Sequence, residues 1–203
     1  MARFASQHGM SYLKASEIEP LGGYAFPLLN RGEHRGCKNV LVGRWQDLPV
    51  KEADYWFAEG GPEEGFFTQQ WGLAYSSIVI ADLAAHLPYV SVDKKTLIAK
   101  AAAHLGAHHI DFASEEFNRK FWVTSLDEEF AVKLIDAGMM RWLPSAGGKF
   151  GFEVAGSHLL VSCHLLRPAH LVQLLDAAKG FTNHIPREVW AEYGTNSRGG
   201  PPG

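Results

Sequence analysis

Alternating apolar and polar residues predict a series of short strands separated by turn residues. The clearest pair covers residues 39–45 and 50–57, with turn chemistry at 46–49, and predicts a hairpin. Further strands are predicted over residues 69–81, 89–92, 150–154 and 158–164, the last two forming a second hairpin. Strands joined by such short turns run antiparallel, so the pattern predicts an antiparallel sheet.

The segment 114–125 is expected to be a strand that leads directly into a helix. Its phenylalanines alternate along the chain, which would place them on one face of the strand. Ser125 and Glu128 are three residues apart and form a capping box, which predicts the start of the helix. The apolar residues that follow recur at helical spacing and predict one continuous helix as far as Trp142.

Two more stretches have helical periodicity, at residues 94–106 and 168–179. Strands thus dominate the first half of the chain, and helices are interspersed with a hairpin in the second half. This order predicts an α+β fold, an antiparallel sheet built from hairpins with helices packed on one face. We expect a single domain over residues 1–193 and a disordered tail over residues 194–203, which is rich in glycine and proline.

Composition narrows the possible functions. A net charge of −3 over 203 residues provides no broad basic surface, which argues against general nucleic-acid binding. No run approaches the roughly 18 apolar residues that a transmembrane helix requires, and no signal peptide is evident. We therefore expect a soluble, cytoplasmic protein without a transmembrane segment. Cys37 and Cys163 are expected to be free, buried thiols.

Common catalytic and nucleotide-binding motifs are absent from the sequence, and no cofactor is predicted. One histidine-rich stretch could still bind a metal ion, through His104, His108, His109 and Asp111. On a continuous helix His104 and His108 would share a face, as a zinc pair requires. Gly106 lies between them and is expected to end the helix, so a solvated connection is the simpler interpretation of this stretch.

Three other side chains are candidate binding residues. Arg119 falls within an apolar pattern, where an unpaired charge would be costly. It could reach solvent, pair with a nearby carboxylate or contact a ligand. Trp122 and Trp56 are expected on strands, where aromatic residues usually pack in the core. If they face outward instead, they would mark a surface for a partner, because exposed aromatic residues are favoured anchors at interfaces.

A series of short motifs resembles an uncharacterised actinobacterial family of unknown function. The most specific element is the block Ser-Glu-Glu-Phe-Asn-Arg at residues 114–119. The other matching motifs lie at residues 39–43, 76–80, 87–92, 121–123, 130–131, 139–143 and 185–190. Members of that family often carry transmembrane helices before this domain. The resemblance implies a shared fold, provides no catalytic residues, and suggests a membrane-associated complex as the setting.

The sequence therefore favours a non-enzymatic domain that binds a protein or takes part in an assembly. Its location would be the cytoplasm, or the periphery of a membrane if its partner is membrane-associated. The alternative is a metal-binding protein or an enzyme that uses the region His104–Asp111.

Overall fold

A computed structural model describes residues 1–14, 21–32, 34–59, 72–94, 106–146 and 149–195. Its helices are α1 (Ala2–Gln7), α2 (Glu115–Lys120), α3 (Glu128–Leu134), α4 (Ala137–Ser145), α5 (Leu171–His184) and α6 (Arg187–Tyr193). Its strands are β1 (Ser11–Leu13), β2 (His34–Trp45), β3 (Leu48–Glu59), β4 (Gly72–Lys94), β5 (His108–Ile110), β6 (Phe121–Ser125) and β7 (Gly151–His164). Short 3-10 helices cover Pro27–Asn30 and Pro168–His170.

The seven strands form one open antiparallel sheet in the order β1-β2-β3-β4-β6-β5, and β7 also pairs with β4. The predicted α+β class is confirmed. The first hairpin is also confirmed, since Trp45 lies opposite Leu48 across a tight turn in which Gln46 has a φ of 55°.

Side-chain alternation gives the sheet two different faces. The helix face carries Val79, Val90 and Val123, which belong to the same core cluster as Leu134 of α3 and Leu174 of α5. The opposite face carries a second core cluster under the segment 21–30. Its members include Leu21, Phe26, Leu29, Tyr55, Ile78, Ile80 and Leu160. Each face thus buries its own apolar set, as a sheet covered on both sides requires.

Two predicted strand breaks do not exist. Residues 69–81 and 89–92 were predicted as separate strands, but residues 72–94 form the single strand β4. Its pairing with β7 shifts register between Asp82 and Val90, so Pro88 lies where the ladder is already irregular and its missing N–H is tolerated. Likewise the predicted second hairpin is one strand, β7, in which Gly156 takes a φ of 56° at the matching irregularity.

The segment 114–125 is only partly the predicted strand. Its first half is the helix α2, because the Ser114 side chain accepts a hydrogen bond from the backbone N–H of Phe117 (3.2 Å). Charges also favour this helix, with acidic residues in its first turn and basic residues in its last. The strand begins at Phe121, so the prediction holds for β6 alone.

The predicted helix after Ser125 is two helices. Asp127 caps α3 and Asp136 caps α4, each accepting a hydrogen bond from a backbone N–H of the first turn. Ser125 is therefore not the cap. Its hydroxyl instead lies 2.7 Å from the carbonyl oxygen of Tyr89 and 2.9 Å from the backbone nitrogen of Asp127, tying the start of α3 to β4.

Some predicted features lie outside the described residues. They include nearly all of the helix predicted over 94–106, and residues 196–203 of the predicted tail. Within that tail Gly194 forms a bridge with Ala85, and the Thr195 hydroxyl donates a hydrogen bond to the Ala84 carbonyl. None of the described helices is long and apolar enough to cross a membrane.

Candidate functional site

Polar side chains form a row across four strands on the sheet face opposite the helices. The register places His109 of β5 opposite Thr124 of β6, Thr124 opposite Ser91 of β4, and Ser91 opposite Glu153 of β7. Ser91 and Glu153 each lie between two residues of the helix-face core, and Thr124 and His109 each lie next to one, so alternation turns all four side chains to the other face. The row therefore crosses four strands, and its four side chains form one polar region on this face of the sheet.

Asp93 lies two residues beyond Ser91 on the same face, opposite Trp122 of β6. The Ser91 hydroxyl donates a 2.6 Å hydrogen bond to the Asp93 carboxylate. Gly151 of β7 leaves the space that Asp93 occupies, since a Cβ at that position would lie 2.8 Å from Asp93 Oδ1. Two residues before Ser91, the Tyr89 hydroxyl donates a hydrogen bond to Glu153. We call Tyr89, Ser91, Asp93, Thr124 and Glu153 the polar cluster.

Burial makes the two carboxyl groups of the polar cluster hard to ionise. Desolvation, followed by the nearby charge of Asp93, raises the pKa of Glu153 to about 8. Desolvation also raises the pKa of Asp93, although its hydrogen bond from Ser91 opposes the shift. The guanidinium of Arg31, which lies 4.8 Å from the centre of the Phe57 ring, lowers both pKa values. Its effect on each pKa is smaller than that of burial.

Two oxygens of the polar cluster have no hydrogen-bond partner among the described residues. They are Glu153 Oε2 and Thr124 Oγ1, and both atoms are enclosed. Thr124 is only 4% exposed, so bulk water does not solvate its hydroxyl. Buried polar atoms normally find a partner, because leaving one without a partner costs about 1–3 kcal/mol. The cluster therefore has unused hydrogen-bonding capacity.

The sequence did not identify the acidic members of this cluster. Asp93 and Glu153 each occupy the polar position of an ordinary alternating strand, which is typical of a solvent-facing side chain. The signal that unites them is the pairing of β4 with β7, and the sequence predicted hairpins that do not contain this pairing.

Trp122 and His109 border the polar cluster. Their rings stack at 3.5 Å with an angle of 6° between planes. The imidazole nitrogens of His109 lie 3.0 Å from the carbonyl oxygen of Val123 and 3.2 Å from Asp111 Oδ1. His108 is exposed and precedes His109 on the strand, so its side chain points to the other face.

The structure describes three of the four candidate metal ligands. His104 lies outside the described residues. Within the described ranges, no group of three or more histidine, cysteine or acidic side chains could hold a metal ion. His109 and Asp111 do contact each other, and the metal hypothesis remains a prediction for the region as a whole.

Trp56 lies far from this row in the fold, on the helix face of β3. It pairs with Tyr75 of β4, and the next residue on that face of β4 is Leu73. Leu73 is 49% and Tyr75 39% exposed, and Trp56 is half-buried. None of the three belongs to a core cluster. We call Trp56, Leu73 and Tyr75 the aromatic patch.

Lys38 is a cation close to the aromatic patch, and Arg119 is itself a candidate binding residue. The Lys38 ammonium lies 5.6 Å from the centre of the Tyr75 ring, at the border of the aromatic patch. Arg119 is exposed in the last turn of α2, so it does not carry a buried charge. The structure therefore does not bring Arg119, Trp122 and Trp56 together. Trp122 and Trp56 face opposite sides of the sheet.

A second buried carboxyl lies on the helix face. Glu52 is fully buried, and neither of its carboxyl oxygens has a hydrogen-bond partner among the described residues. Desolvation and the charge of Asp54 raise the pKa of Glu52 to about 9. Asp54 itself accepts hydrogen bonds from Asn39 (2.8 Å) and Ser77 (3.3 Å). With this pKa, Glu52 is protonated and neutral at physiological pH.

Comparison with known proteins identifies a shared fold and no family. No protein-family model matches the chain, and no curated protein matches it. Among solved structures, it is similar to the crystal structure of the mycobacterial trehalose monomycolate transport factor A, TtfA. The TM-score is 0.67 at 16% sequence identity, and the match covers 91% of this chain and 93% of the other. At this identity the likeness extends to the architecture of the whole domain.

Proposed function

We propose that this chain is a non-catalytic domain that binds a protein partner within a membrane-transport assembly. The observation that carries the proposal is the aromatic patch, where Trp56, Leu73 and Tyr75 remain outside both cores. The fold that it shares with a mycobacterial transport factor supports the setting. Membership of the actinobacterial family of unknown function is part of the same proposal and would fit that setting.

The physical argument concerns exposed apolar surface. Single exposed apolar residues are common, but three adjacent ones on paired strands form a contiguous patch. Tryptophan and tyrosine are enriched among the residues that dominate binding energy at protein interfaces. Lys38 beside Tyr75 adds a cation at the rim, which would favour a partner with acidic groups around an apolar centre.

Site-specific photo-crosslinking tests the proposal. A photoreactive phenylalanine analogue replaces Tyr75 in the full chain, expressed at its natural level in its host. We expect one discrete adduct in the membrane fraction, and the additional substitution Trp56→Lys should abolish it. The matched control carries the analogue at Val132 of α3, which is 50% exposed but lies away from the patch.

The control decides the outcome. The same adducts from positions 75 and 132, or no adduct at position 75, would argue against the aromatic patch as a docking surface. An adduct that survives Trp56→Lys would locate the partner elsewhere on the chain.

The alternative, a metal-binding protein or enzyme, has its own test. Elemental analysis of the purified full chain measures bound metal directly. Stoichiometric zinc that is lost in a His108→Ala, His109→Ala variant would support a centre in the region His104–Asp111. Protein without stoichiometric metal would remove that version of the hypothesis.

A further inference from the structure

We propose that the polar cluster is a binding site for an organic cation, specifically a primary ammonium group held by Asp93 and Glu153. The inference is independent of the aromatic patch, which lies on the other face of the sheet. It rests on the position of the two carboxyl groups, the enclosed oxygens beside them and the balance of charge around them.

The first step is hydrogen-bonding capacity. The Ser91 hydroxyl donates to Asp93 and the Tyr89 hydroxyl donates to Glu153, so two of the three hydroxyl protons within the cluster are already committed. The enclosed oxygens that remain, Glu153 Oε2 and Thr124 Oγ1, can both accept a hydrogen bond. A ligand that fits this arrangement supplies donors. A primary ammonium has three donors and no acceptor.

The second step is charge. Asp93 and Glu153 sit diagonally on neighbouring strands, and Arg31 is the cation that acts on both. Among the described residues, the lowering of both pKa values by Arg31 is smaller than their rise on burial. One further positive charge would allow both to ionise. A ligand with a single cationic group therefore matches the deficit.

The third step is access and shape. Asp93, Glu153 and Trp122 are each partly exposed, so a ligand can reach the edge of the cluster from solvent. The indole of Trp122 lies across from Asp93 and is held flat against His109, giving the site an aromatic wall. Aromatic rings next to carboxylates favour alkylammonium ligands.

A titration of the full chain followed by NMR tests the proposal. The probe is n-butylammonium chloride, and n-butanol and sodium chloride at equal concentration are its matched controls. The readouts are the indole N–H signal of Trp122, assigned from Trp122→Phe, and the carboxyl carbon signal of Glu153. We expect saturable shifts with n-butylammonium alone, and a pKa of Glu153 that moves from about 8 toward its ordinary value.

Variants separate the site from general surface binding. Asp93→Asn is expected to weaken n-butylammonium binding at least about tenfold, because it removes one of the two charges that hold the ligand. Glu153→Gln should do the same and serves as the second variant if the first does not fold. The control Glu116→Gln removes an exposed carboxylate on α2 and should leave binding unchanged.

Three results would contradict the proposal. Equal shifts with n-butanol would show an apolar site, and equal shifts with sodium chloride would show screening alone. Unchanged affinity for n-butylammonium in folded Asp93→Asn and Glu153→Gln would also contradict the proposal.

A blocked Gly-Lys-Gly peptide identifies the source of the ammonium group once the site is established. Affinity for the peptide at least about tenfold above that for n-butylammonium would assign the group to a lysine of a protein partner. Equal affinities would assign it to a free amine.

Discussion

Glu52 shows how one side chain sets the response of this fold to pH. It is fully buried, it has no hydrogen-bond partner among the described residues, and its pKa rises from 4.5 to about 9. The folded state therefore holds this proton more tightly than the unfolded chain. The stability contributed by that proton is fully present below pH 4.5 and is lost as the pH rises toward 9.

Glu52→Gln should remove this dependence, because glutamine carries no charge at any pH. We expect the gain in stability over the natural chain to be roughly 4 kcal/mol larger at pH 8 than at pH 5, because both pH values lie between the unfolded and the folded pKa and each unit contributes about 1.36 kcal/mol. Urea unfolding at the two pH values measures the difference. The control Glu188→Gln changes an exposed carboxylate of α6 and should shift stability by less than about 0.5 kcal/mol at both. An equal gain at pH 5 and pH 8 would rule out ionisation as the cause.

At the scale of elements, the contact between α4 and α5 depends on a missing side chain. Gly180 lies inside α5, where the sequence predicted the helix to end, and the helix instead continues to His184. A Cβ at Gly180 would lie 2.5 Å from Cζ2 of Trp142 on α4. The glycine thus allows close approach of two helices, and the Trp142 ring stacks on His184 in the space that it leaves.

Gly180→Ala is expected to destabilise the protein by about 1–3 kcal/mol, although alanine favours helices over glycine. The steric conflict with Trp142 outweighs the gain in helix propensity. Thermal or urea unfolding gives the magnitude. The double variant Gly180→Ala, Trp142→Leu should lose less than the sum of its two single substitutions, because the clash is then absent. Strict additivity would show that the two positions do not meet.

Local signals explain which elements the sequence predicted well. The β2–β3 hairpin follows from alternation and from the turn residues at 46–49, although the structure closes the turn with residues 46 and 47 alone. Gly180 and Pro88 each normally end an element, so the sequence predicted a helix end and a strand break at these positions. Gly180 is instead required by its contact with Trp142, and Pro88 is tolerated because the pairing of β4 with β7 is irregular there. The polar cluster was not predictable for the same reason, since its residues meet through the pairing of β4 with β7.

At the scale of the whole molecule, the sheet separates two environments. Cys37 belongs to the core of the opposite face, whereas Cys163 packs against the core of the helix face. The two cysteines form no disulfide with each other, as expected, and Cys37 is fully buried whereas Cys163 is half-buried. Burial raises the pKa of Cys37 to about 11 and that of Cys163 to about 12.

Both thiols should therefore resist modification in the folded protein. With a thiol-reactive chromophore at pH 8, we expect negligible reaction under native conditions and two equivalents after unfolding in urea, because thiolate is the reacting form. Absorbance over time measures the rates. The expectation would be contradicted if one equivalent of the chromophore reacted rapidly in native buffer. If this rapid reaction were absent from Cys163→Ala, the half-buried Cys163 thiol would be more accessible than its surroundings indicate.

The length of β4 has a consequence for how the chain reaches this structure. Its partner β7 is far away in sequence, with Ser76 paired to His164. The β2–β3–β4 meander can form early from nearby residues, but one edge of β4 stays open until the chain beyond residue 150 arrives. Long-range closure of this kind slows folding. During synthesis, the exposed edge of β4 is therefore where nascent chains would be most prone to pair with one another.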